Sequence, residues 1–101
     1  MATKSVGINL TAGAPASVGQ AGINGGTYVV HILNRGAGAA VVEVGASTVD
    51  GTLQNVRRFV KQSVAVDEEL SFGPVVLNAN DYIIAESDIA NVTVIMMGYD
   101  D

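Results

Sequence analysis

Few side chains in this sequence could do chemistry. His31 is the single histidine. It stands between Val30 and Ile32 in an alternating apolar stretch, where a lone imidazole is ordinarily packed or hydrogen-bonded. A hydrolase would need His31 as general base, yet no serine stands in a Gly-x-Ser-x-Gly elbow. The chain has no cysteine, which removes disulfides and thiolate metal sites, and one imidazole alone does not make a zinc site. Asp81 with Glu86 or Asp88 is the available carboxylate pair for glycoside hydrolysis. With no tryptophan, three tyrosines and two phenylalanines, there is little to line a sugar cleft, so these acids read as turn residues. Asp81, Asp88 and the terminal Asp100-Asp101 lack the Asp-x-Asp-x-Asp-Gly pattern of a calcium loop. None of the glycine clusters is followed by Lys-Ser/Thr, so no phosphate loop is read. No enzyme activity, metal or cofactor is expected.

Charge narrows the partners. Ten acids against five bases give a net charge of −5. A nucleic-acid binder needs a basic footprint, and this chain has none overall. Arg57, Arg58 and Lys61 do cluster. They are expected to balance Asp67-Glu68-Glu69 on a solvated face; the alternative is a contact patch for an acidic partner. The N-terminus shows no basic segment followed by an apolar one, so no signal peptide is read. The longest apolar run, around Val92 to Met97, is too short to span a bilayer as a helix. A soluble chain made in the cytoplasm, with no membrane partner, is expected.

The elements that must position these residues read as strands. Nearly half the residues are apolar, and their mass is Val, Ile, Leu and Ala, which suits a pleated surface. Val6, Ile8 and Leu10 alternate with polar neighbours in the first strand. Residues 12–26 hold five glycines and Pro15, and read as a Gly/Ala-rich loop, or as an arm that lies on another subunit; Val18 and Ile23 are its larger apolar side chains. Thr27 to Arg35 and Ala39 to Val44 read as a hairpin across the turn at 34–38. Leu53 to Lys61 fits either period and is read as a strand from its context. Leu70-Ser71-Phe72 is a short strand ended by Gly73-Pro74. Val75 to Leu77 and Tyr82 to Ala85 flank a polar turn. The last strand, Val92 to Tyr99, is apolar on both faces, because side chains alternate and Val92, Val94 and Met96 oppose Ile95, Met97 and Tyr99. Such a strand is central in a sheet or meets a partner. The expected fold is all-β: one domain over residues 1–101, an antiparallel sandwich of about eight short strands, jelly-roll-like or immunoglobulin-like.

From about Gly26 onward the chain resembles the small β-sandwich structural proteins encoded in the morphogenesis clusters of tailed bacteriophages. The residues that carry the resemblance are Thr27-Tyr28-Val29-Val30, the stretch Leu77-Asn78-Ala79-Asn80-Asp81-Tyr82-Ile83-Ile84-Ala85, and the ending Val92 to Asp101 with its Gly98-Tyr99-Asp100-Asp101 close. Asn80 stands where glycine is usual, and still permits a left-handed turn conformation. The resemblance implies a virion protein without enzymatic activity. A capsid decoration or cement protein on the outer surface of the head is favoured, with the major capsid protein or another virion protein as partner. A homotrimer at local three-fold sites is implied. The alternatives are a neck, tail or baseplate accessory and a glycan- or cell-surface-binding module. The candidate interface residues are Val18, Ile23, Arg57, Arg58, Lys61, Met97 and Tyr99.

Overall fold

The computed structural model describes residues 2–101. It contains β1 (Ala2–Leu10), β2 (Ala16–Gln20), β3 (Gly26–Asn34), β4 (Ala40–Ser47), β5 (Arg58–Val64), β6 (Glu69–Leu77), β7 (Tyr82–Ser87) and β8 (Val92–Asp100). Sheet A has the order β1-β8-β3-β6 and sheet B the order β2-β7-β4-β5, and all pairings between these strands are antiparallel. These orders are those of a jelly roll, which decides between the two sandwich topologies expected. Alternation builds the core: Tyr28, Val30, Ile32, Val92, Val94 and Met96 of sheet A face Val42, Val44, Ala46, Val64, Ile83 and Ala85 of sheet B, all buried.

Four local expectations are corrected. The glycine-rich segment is not simply a loop or an arm, because Ala16–Gln20 is the edge strand of sheet B, paired with β7. Its glycines suit that edge: a Cβ at Gly19 would stand 3.0 Å from Met96 Sδ, so the bare backbone lets the two sheets close. Residues 27–44 do not form a hairpin, since β3 and β4 belong to different sheets. Buried Asn34 holds that crossing. Its Nδ2 donates to the carbonyls of Gly38 at 2.8 Å and Val64 at 2.9 Å, and its Oδ1 accepts from Gly36 N–H at 2.8 Å. Residues 53–57 are not strand: Asn55–Arg57 is a 3-10 turn and β5 starts at Arg58. Finally, Gly73-Pro74 does not end a strand. β6 runs through it at the sheet edge, where a missing N–H removes no ladder bond, and Gly73 takes a φ of 128° at the register shift opposite Tyr28 and Val30.

Turns follow their residue types. Asn80 adopts the left-handed conformation, φ 61°, as do Asp67 and Asn91 at 62° and 65°. β8 is central in its sheet, between β1 and β3.

One polar cluster ties the chain end to three other segments. The Tyr28 hydroxyl donates to Asp100 Oδ1, which also accepts from Gly22 N–H at 3.1 Å and lies 3.3 Å from Lys4 Nζ. Burial, then the Asp100 carboxylate, pushes the Tyr28 phenol up to about 12. The Tyr28 hydroxyl, with help from Lys4, holds the Asp100 carboxyl below its ordinary value. The signs differ. Tyr28 keeps its proton in the fold after the unfolded chain has lost it, so its contribution is present below about pH 10 and is lost as pH rises toward about 12. The Asp100 contribution is present above about pH 4 and is lost as pH falls through its lowered folded value. Denaturant titrations across pH check both: Tyr28→Phe removes part of the alkaline decline, and Asp100→Asn removes part of the acid decline.

Candidate interaction surface

Odd-numbered positions on β1, β8 and β3 point away from the core. Their cross-strand pairing aligns Thr3, Tyr99 and Thr27 in one row, Ser5, Met97 and Val29 in the next, then Gly7, Ile95 and His31, then Asn9, Thr93 and Leu33. The outward side chains of these rows carry no formal charge, and the middle of the face is apolar, with Lys4 at the rim. Tyr99 is 51% exposed and Met97 43%, whereas Val29, Leu33 and Ile95 are half-buried. Beside the two exposed side chains lies a shallow depression of about 510 Å³, lined by Thr3, Lys4, Ser5, Val29, His31, Met97, Gly98 and Tyr99. The small side chains of β1 make the hollow and the large ones of β8 make its wall. Met97 and Tyr99, both candidate interface residues, are thus brought together.

His31 opens onto this face, where its Nδ1 shares a 2.6 Å hydrogen bond with Ser71 Oγ. The pairing is set by strand register, because His31 and Ser71 are direct cross-strand partners. A side-chain partner for His31 is what a lone strand histidine is expected to have. Among the described residues no group of three or more His, Cys, Asp or Glu side chains could hold a metal ion.

The outer face of sheet B is different. Ser17, Ile84, Gly45 and Arg58 form a row across it. The connection between β4 and β5 lies over that row: Leu53 Cδ1 would stand 2.9 Å from a Cβ on Gly45, Gly51 N–H donates to Ser17 Oγ at 2.9 Å, and Ser17 Oγ donates to Asp50. Ile84, although it points outward, is fully buried. The rest of that face carries Glu43, Lys61 and Glu86, which line a second, smaller depression with Asp88.

The other candidate residues do not join Met97 and Tyr99. Val18 is only 4% exposed and belongs to the core, so it offers nothing to a partner. Ile23 is 78% exposed in the loop between β2 and β3. The basic cluster does not face Asp67-Glu68-Glu69. Arg57 pairs with buried Asp81, and Arg58 and Lys61 reach Glu43 at 2.8 and 3.3 Å. Each of the three has a carboxylate partner within the chain, Arg58 and Lys61 sharing Glu43. These pairings left no mark in the spacing of the sequence, because sheet register and a long connection bring the partners together. No protein-family model matches this chain, and neither a curated protein nor a solved structure matches it.

Proposed function

We propose that this chain is a non-enzymatic structural protein of a tailed-phage virion, bound to the outer shell as a decoration or cement protein. The observation that supports the reading most is the open outer face of sheet A. A partly apolar sheet face of this kind is a surface for assembly, with a second copy or with a neighbouring protein, and it suits a structural role. Its surroundings suit assembly better than catalysis: the one imidazole is engaged by Ser71, and the acids Asp81 and Asp100 are held by Arg57, Lys4 and Tyr28. The net charge of −5 suits the outside of a DNA-filled particle better than contact with packaged DNA. A protein bound across neighbouring shell subunits stabilises the shell by its binding free energy.

The placement of the aromatics favours the glycan-binding alternative less. Tyr28 is in the core, and the exposed Tyr99 and Phe59 stand on different sheets. Co-sedimentation with heads assembled without the chain, followed by gold labelling, tests the proposal. Label over the whole head surface is expected. Label confined to one vertex or to the tail would move the protein to the neck or tail and reject the decoration role.

A further inference from the structure

We infer that the outer face of sheet A is where two copies of this chain meet, stacked face to face about a two-fold axis. The inference sharpens the oligomer expected above, but it rests on the sheet face and stands whether or not the protein binds a shell.

The first ground is the asymmetry between the outer faces. Sheet B covers the row at Ile84 and Gly45 with the chain's own Leu53 and Gly51 segment. Among the described residues, sheet A has no such cover over its apolar middle, since Met97 and Tyr99 remain 43% and 51% exposed. The second ground is charge. A two-fold contact sets a surface against itself, so any net charge there repels its own copy. On a chain with ten acids and five bases, the four rows of β1, β8 and β3 carry no formal charge on their outward side chains; Glu69 adds one at the β6 corner, and Lys4, which lines the hollow, is paired with Asp100. A strongly charged partner would find no complement on this face, whereas a second copy would.

Shape gives the third ground. Met97 and Tyr99 stand beside the 510 Å³ hollow. A two-fold axis that runs along the strands between β1 and β8 places each copy's Met97 and Tyr99 over the other's Ser5 and Thr3, which line the hollow. Area is sufficient. Nine residues at about 3.4 Å and four strands at about 4.8 Å give a face of roughly 600 Å² per copy. Roughly 1,200 Å² in total is the lower end of stable interfaces, which fits a pair that forms with concentration. The two-fold pair takes the place of the trimer implied by the resemblance, because a flat self-complementary face closes after two copies.

Light scattering on the eluting peak, over a concentration series, tests this. The unmodified protein is expected to approach twice its 10.3 kDa mass at high concentration. Met97→Glu and Ser5→Lys, both at exposed positions, are each expected to weaken pairing at least tenfold while circular dichroism stays unchanged. Ile23→Glu, away from the face, is expected to pair normally. A single-copy mass at every concentration, a three-copy mass, or pairing untouched by both face variants would each overturn the inference. Co-sedimentation with heads is read separately: a two-copy mass without head binding removes the shell role and keeps the pairing, whereas head binding by a single-copy protein removes the pairing and keeps the shell role.

Discussion

Gly98→Ala is expected to be the most damaging single methyl in this chain. Gly98 lies on β8, paired with Lys4 of β1 on one side and Tyr28 of β3 on the other. A Cβ there would fall on the Thr27 carbonyl oxygen and 2.7 Å from the Tyr28 Cα. Both are backbone atoms of the neighbouring central strand, so no rotamer change relieves the clash. Either the β3–β8 ladder opens at this point or the strands shear. Overpacking of this kind costs about 3 kcal/mol. In a domain of this size that lowers Tm by roughly 15 °C. Thermal unfolding followed by circular dichroism reads the effect. A change of a degree or two would mean that the two central strands are not packed as described. The same substitution at Gly38, where a Cβ would meet nothing within 4 Å, is the control and should leave Tm nearly unchanged.

The second large effect is expected at Val18. If residues 12–26 were a surface arm, an aspartate at Val18 would be tolerated. In the fold described here Val18 is 4% exposed inside the core, and a carboxyl there has no partner. Val18→Asp is therefore expected to destabilise by about 3–5 kcal/mol, enough to unfold a marginal domain at room temperature. Ile23→Asp, five residues on but 78% exposed, should cost less than about 0.5 kcal/mol. Denaturant midpoints of the two variants separate the alternatives: equal, small changes would restore the arm, whereas a large loss at Val18 alone places the strand.

Where the sequence was legible, the signal was alternation. β1, β3, β4, β7 and β8 could be found because Val, Ile and Leu recur at every second position and turn residues bound them. β8, apolar on both sides, had to be central in a sheet or meet a partner, and it is central. The segments misread were those where glycine and proline play unusual parts. Glycine at β2 permits close approach of the sheets rather than a loop, and Pro74 sits in an edge strand where its missing N–H is harmless. Strand order was not legible, because it depends on crossings such as the one that Asn34 secures with hydrogen bonds to residues 4 and 30 positions away. The candidate surface was half legible. Met97 and Tyr99 follow from the alternation of β8, but the charge-free rows beside them appear only once β1 and β3 are laid alongside. The cation cluster was visible, whereas its partners Glu43 and Asp81 lie 15 to 24 residues away and meet it through β-pairing and the long β4–β5 connection.

The measurement that bears most directly on the proposed role is the survival of phage heads under heat and osmotic shock, with and without this protein. Heads assembled without the chain should lose their DNA at lower temperature and milder shock than complete heads, and adding back the purified protein should restore both. Heads that resist equally well without it would contradict a cementing role.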